Sequence, residues 1–484
     1  MRKHFSLFCL FLVCIAETSI AQNAVLEEIV SGKSRKVVDL FLPVTESEVP
    51  EAWLVNEGMD PNPRPVVAER FVRFRGNLPW NVFNPTVKTP FDFRMLFVDG
   101  VERRVVIESI EEVTRGAVTL RHVTGRVKSD RLSRINLVLT EEQIQGTVHF
   151  DDAVVEFRPV VDDISVVQIL DARRFPKERK PKPAHRQPGF IKKDPPDIRF
   201  MRPAGGDFTG PEPYAGEPYA DTSYESPEIG VLVIRSDDGL NCGAATLASA
   251  AQTYQGALDT SFAGYATSRV DMRCTPQAEV WPDLEGARNY IMTDPDVMDW
   301  RKDADADLVV MLVNDGKGFC GFTMYPDYPE YPIDDYVDQY AHNAAFAVVD
   351  EDCTISQFSL EHEVGHLLGM KHERFNELGG VNDFCGYGYP VTRGGEPVAL
   401  TIMAYDDYCD YLGVSCSREP YYSIPRKKSQ GLFGWLANLL HRCFGKTRGI
   451  TCASTEPGHL KRPANNTMQI IDAAPHVATY SDEL

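Results

Sequence analysis

The segment His362-Glu363-Val364-Gly365-His366-Leu367-Leu368-Gly369-Met370-Lys371-His372 holds three imidazoles, a carboxylate and two glycines at spacings that can do chemistry. Residues four apart on a helix lie on one face, so a helix here presents His362 and His366 to a single point. Glu363 sits one step round, where its carboxylate can hold a water. Gly369 can end the helix in a left-handed conformation and return His372 as a third ligand. Three neutral imidazoles leave one position open on a zinc ion, which separates a catalytic site from a closed structural one. Zinc brings the pKa of a bound water toward about 7 and polarises a carbonyl, with Glu363 as general base. Two histidines four apart can arise by chance in an acidic helix, but the full eleven-residue pattern is far more specific. By contrast His122, His149, His342, His459 and His476 have no partner at ligand spacing and read as structural or surface residues.

These side chains need a scaffold. Ser356 to Leu368 has helical periodicity, with Leu360, Val364 and Leu367 or Leu368 as an apolar stripe, and Thr354 with Gln357 matches a capping box. Ile229–Ile234, Ala306–Val313 and Ala344–Val349 are apolar runs of the kind found in strands covered on both faces, and Cys242–Tyr254 is Ala-rich and helix-like. Residues 228–484 therefore read as an α/β domain. Residues 22–171 carry short β-branched runs divided by turn formers: Arg104–Ile110, Ala117–Val127, Ile135–Thr140, Gln145–Phe150, Val154–Val160 and Ile164–Ile169. They read as an all-β domain without a catalytic constellation. Between the two, 172–227 reads as a linker: Arg173 to Arg202 holds eleven Lys or Arg against three acids, with prolines interspersed. The exposed dibasic pairs Arg173-Arg174 and Lys192-Lys193 mark it as accessible to proteases, and a basic tether for anionic surfaces is the second reading.

A chain of 484 residues suggests about two to four compact units. With 43% hydrophobic and 25% charged residues it can build a sizeable core, and a net charge of -20 disfavours nucleic acid as a partner. Residues 1–21 combine Arg2, Lys3 and His4, an apolar run from Phe5 to Ala16 and the Ser19-Ile20-Ala21 cleavage pattern, so they read as a signal peptide. That run is too short to span a bilayer, and no transmembrane span is expected. The expected location is secreted and extracellular, with periplasmic transit in a Gram-negative host. Export permits disulfides, so the nine cysteines between Cys242 and Cys452 read as bridges with one thiol left over. Asp303, Asp305 and Asp307 begin like a calcium loop, but Leu308 and Asn314 stand where Gly and Glu are required, so no loop motif supports Ca2+. Asn465-Asn466-Thr467 is a formal glycosylation acceptor, and Ser481-Asp482-Glu483-Leu484 resembles a retrieval address, read here as coincidence.

The eleven-residue string resembles the signature of the metzincin zinc metallopeptidases. That resemblance implies a metzincin-like α/β (α+β) catalytic domain with a twisted mixed sheet and a zinc-site helix, one catalytic Zn2+ on His362, His366 and His372, and a downstream Met-turn. Ala399-Leu400-Thr401-Ile402-Met403-Ala404-Tyr405 supplies the turn, with Met403 as a floor under the metal. Tyr405 lies where some branches carry a fifth ligand or oxyanion donor; a packed tyrosine is the alternative. From Ile229 onward the chain is similar to reprolysin-like bacterial peptidases, including peptidyl-Asp metalloendopeptidases, with Gly318-Phe319-Cys320-Gly321 as the expected edge strand for an extended peptide. Residues 22–171 resemble the propeptide of that group, particularly Gln145–Val148 and Phe157–Pro159.

The expectation is thus a secreted zinc metalloendopeptidase made as a precursor, acting on protein or peptide substrates and inhibited by its own pro-domain. No cysteine occurs from residue 15 to 241, so a pro-region thiolate cannot cap the zinc, and Asp207 in Gly205-Gly206-Asp207-Phe208 is a candidate switch. Residues 425–448, basic and apolar, stand outside the family pattern and read as a lid, a membrane-surface helix or a packed insertion. Two other readings compete: a secreted binding protein with a structural zinc site, and a surface-associating toxin using 425–448.

Overall fold

The computed structural model describes, with short interruptions, residues 37–171, 174–176, 182–183, 226–325, 345–372, 388–423 and 470–481. The signal segment, Asp207, residues 425–448, His342, His459, His476, the Asn465 acceptor and the last three residues lie outside them. The chain divides into two compact units, Met1–Asp171 with Gly243–Thr253, and Ala172–Cys242 with Tyr254–Leu484.

Ten strands of the first unit form one sheet: β1 (Val37–Val38), β2 (Phe41–Pro43), β3 (Val66–Phe74), β4 (Phe91–Leu96), β5 (Glu102–Arg115), β6 (Val118–Val127), β7 (Arg134–Leu139), β8 (Ile144–Phe150), β9 (Ala153–Val161) and β10 (Ile164–Asp171). From β4 to β10 it is an antiparallel meander, each strand pairing with the next in sequence. β10 then pairs antiparallel with β3. A core containing Val105, Ile107, Val123, Leu137, Val148, Val155 and Phe157 packs within this unit. Among its described residues this unit also holds a 3-10 turn, Glu46–Glu48, a short helix, Leu78–Val82, and the first part of the helix Ala244–Phe262. His122 is held by Asn136, its Nε2 lying 2.8 Å from Oδ1, in keeping with a structural histidine.

The second unit contains a six-stranded mixed sheet ordered β11-β15-β16-β14-β12-β13, from β11 (Lys182–Pro183), β12 (Glu228–Ser236), β13 (Thr267–Thr275), β14 (Leu308–Val313), β15 (Gly321–Tyr325) and β16 (Phe346–Asp350). β13, β12, β14 and β16 run parallel, and β15 turns antiparallel to β16. All six residues of β14 are buried, as expected of a strand covered on both faces. Helices Ala244–Phe262, Leu284–Thr293 and Pro295–Asp303 supply the crossovers, the last two capped by Asp283 and Asp294 side chains. A smaller sheet, β17 (Pro390–Arg393), β18 (Glu396–Leu400) and β19 (Ser417–Arg418), follows the His-bearing helix. The chain is thus mixed α/β. Bridges Cys242–Cys274, Cys320–Cys353 and Cys409–Cys416 account for six cysteines of this unit. Among the described residues no helix is long and apolar enough to cross a membrane.

Candidate metal centre

The His-bearing helix runs from Ser359 to Leu367, three residues shorter at its start than its periodicity suggests. The expected capping box does not form. Thr354 Oγ1 donates to the Glu351 carbonyl at 2.7 Å and Ser356 Oγ to that of Asp352 at 2.9 Å, so both hydroxyls serve the preceding 3-10 turn instead. The helix starts after Phe358, which holds a left-handed backbone (φ 55°) and makes no side-chain cap bond. An amphipathic stripe is also too narrow a description, because every residue from Ser359 to Leu367 is buried. The far end follows expectation. Gly369 has φ 81°, its N–H bonds the His366 carbonyl at 2.8 Å and the Met370 N–H bonds that of Gly365 at 2.9 Å, a Schellman closure. The resulting turn sends His372 back toward the helix.

His362 Nδ1 lies 2.8 Å from the Ile402 carbonyl and His366 Nδ1 lies 2.8 Å from that of Met370. A carbonyl only accepts, so both Nδ1 atoms carry the proton and both Nε2 atoms offer a lone pair. His372 Nε2 lies 3.2 Å from His362 Nε2 and 3.0 Å from His366 Nε2. Among the described residues this buried triad is the group of ligand-type side chains arranged to hold a metal ion. Burial first, then the neighbouring His372 and His362, holds the His366 imidazole well below its usual pKa, which keeps it neutral and competent to ligate.

β18 leads into the turn at 401–404, closed by the Ala404 N–H on the Thr401 carbonyl at 2.9 Å. Met403 is fully buried beneath the helix: a Cβ placed on Gly365 would meet its Sδ at 2.5 Å. Tyr405 is also buried and its ring lies over His372, with centroids 3.8 Å apart. Glu363 is fully buried, against Gly321 of β15. The expected edge strand over 318–321 proves to begin only at Gly321, because Lys317 and Gly318 take left-handed conformations that no strand accepts.

Three residues carry no local signal in the sequence. Tyr422 Oη donates to the Glu361 carbonyl at 2.5 Å, and its ring stacks on Phe262, so an aromatic post supports the helix from below. Glu361 is fully buried, and desolvation pushes its carboxyl up to about 8, with Arg418 opposing the shift. Arg418 itself ties the turn to the helix approach, donating to the Gln357 carbonyl at 2.9 Å and the Ala404 carbonyl at 3.3 Å. No local pattern marks these residues, since their partners lie as far as 61 positions away.

No protein-family model matches the chain. Among curated proteins, a peptidyl-Asp metalloendopeptidase of Xanthomonas campestris pv. campestris is 24% identical over 314 residues, which are 63% of this chain and 65% of that protein. A second, from Stenotrophomonas maltophilia, is 31% identical over 90 residues, 19% of this chain and 20% of that protein. The chain is related to metallopeptidases. It matches less than two thirds of the length of these curated relatives. Metalloproteinase-II from Bacteroides fragilis aligns over 74% of this chain and 92% of its own at 13% identity, with a TM-score of 0.35, too low to bear on the fold. The metallopeptidase relationship implies a metal, and the His triad supplies a place for one.

Proposed function

We propose that the chain is a secreted zinc metalloendopeptidase of metzincin type, made as a precursor with residues 22–171 as its all-β pro-domain and 228–484 as its catalytic domain. The convergence of three imidazoles carries the reading, with His372 Nε2 3.0 and 3.2 Å from the other two Nε2 atoms and all three ligand atoms within 4.8 Å of one another. An all-nitrogen donor set suits zinc, and tetrahedral Zn–N bonds of about 2.0–2.1 Å would set such atoms about 3.3 Å apart, close to what is seen. When bound, the ion would acidify water and polarise the scissile carbonyl. Glu363 takes a proton from the attacking water as the new C–O bond forms and delivers it to the leaving nitrogen as the C–N bond breaks. Tyr405, its ring tilted against that of His372, is the proposed donor to the developing oxyanion, and Met403 the floor. Incubating the zinc-loaded, processed protein with casein, with and without a chelator, tests the reading: chelator-sensitive hydrolysis is expected, and intact casein in both arms refutes it.

Precursor status is supported by where the linker runs. β11 pairs in parallel with β15, Lys182 opposite Met324 and Pro183 opposite Tyr325, and the Pro176 carbonyl lies 3.1 Å from Cys320 Sγ. The linker thus follows the strand edge that an extended substrate would need. Of the two dibasic pairs, Arg173-Arg174 precedes this strand and Lys192-Lys193 follows it. Replacing either pair with a site for an added specific protease should therefore give different results. Cutting at 173–174 should leave casein hydrolysis at the zymogen level, whereas cutting at 192–193 and removing the fragment should raise it by orders of magnitude. Equal activation by the two cuts would reject the linker as inhibitor.

A further inference from the structure

Gly321 opens β15, and its surroundings explain why no larger residue stands there. A Cβ built on it would lie 2.5 Å from Glu363 Oε1, 2.8 Å from Cγ and 3.0 Å from Cδ. The first two distances are shorter than carbon and oxygen tolerate and the third is tight, and because Cγ is among the first two, turning the carboxylate tip alone cannot relieve the clash. Gly321 is not among the glycines with positive φ, so backbone conformation does not demand it. The demand comes from space alone.

Neither partner can easily withdraw. Gly321 pairs with Val349 in the antiparallel ladder, the Asp350 N–H bonds the Cys320 carbonyl at 2.8 Å, and Cys320 is bridged to Cys353. Glu363 rides on a buried helix closed by the Gly369 turn and supported by Tyr422. We propose that Gly321 is a positioning residue, whose missing side chain sets where the Glu363 carboxylate lies relative to the metal-binding imidazoles. This rests on Glu363 being the general base. A methyl group at 321 displaces that carboxylate, and a misplacement of about 1 Å can cost on the order of 100-fold in rate.

The test is a cycle of full-length variants, processed at 192–193: Gly321→Ala, Glu363→Ala and the pair together. Gly321→Ala is expected to keep its metal content and KM while kcat falls by about tenfold to 100-fold. It is also expected to melt at a lower temperature, and the penalty should vanish in the Glu363→Ala background, where no carboxylate arm remains to be struck. Unchanged kcat, or the same melting penalty in both backgrounds, overturns the proposal. Should Gly321→Ala fail to fold, recovery of folded protein on adding Glu363→Ala supports it and failure in both backgrounds refutes it. If no form of the protein cleaves peptides, the peptidase reading fails, while the melting cycle still judges the contact on its own.

Discussion

Replacing Glu363 with Ala is expected to lower kcat/KM on a peptide substrate by about 10²- to 10⁴-fold, the range associated with a lost general acid–base group. Metal content should stay at the wild-type level, since the three imidazoles and the backbone carbonyls that orient two of them are untouched. The fold should also survive. Glu363 is completely buried, and removing a buried carboxylate relieves desolvation at the same time as it leaves a small void. Side-by-side measurement of turnover, bound metal and melting temperature separates these effects. Full activity in Glu363→Ala would remove this residue from the mechanism, and loss of metal would make it a structural support of the site.

Acidification is expected to have an effect of similar size. The folded protein holds His366 neutral with a pKa well below 6.5, whereas the unfolded chain protonates it near that value. Between the two values the unfolded state binds the extra proton, so stability rises with pH there. This contribution is fully present above about 6.5 and is lost as pH falls toward the depressed folded value. Protons also compete with the metal for the same Nε2 lone pair, so bound metal and peptidase activity should fall together across the acid range. Glu361 has the opposite sign. Its folded pKa of about 8 exceeds its ordinary 4.5, so its contribution is present below 4.5 and is lost as pH rises through about 8. Between about 4.5 and 6.5 the two slopes therefore oppose each other, from about 6.5 to 8 the Glu361 loss should lower the melting temperature by itself, and Glu361→Gln should remove that fall and steepen the acid limb. A melting temperature and metal content indifferent to acid would contradict the burial of the triad.

Much of the scaffold could be read from the chain because its signals are local. The apolar run at 306–313 can only be buried on two faces, and β14 lies within it with all six residues covered. Gly369 was legible for the same reason, since a glycine after a helical pattern and before His372 has a turn to make. In the first unit, six strands matched β-branched runs, but β3 did not stand out because Glu69, Arg70 and Arg73 break its apolar pattern. The helix start was misread where two local signals competed: Thr354 fits a cap in sequence, yet its hydroxyl is used by the Glu351 carbonyl. The supports of the site were illegible for a different reason. Tyr422 and Gly321 act through partners 61 positions back and 42 positions ahead (363 − 321), and neither distance leaves a period in the sequence.

The bridge between Cys320 and Cys353 joins the residue just before Gly321 to the 3-10 turn that leads into the helix of Glu363. One covalent staple thus spans both faces of the narrow gap in which the carboxylate sits. Cys320 and Cys353 are both buried, so in the folded protein the staple is shielded from thiol reductants and is exposed to them only when the chain opens. A reducing medium would therefore weigh on how readily the opened chain closes again, not on the arrangement of the folded site.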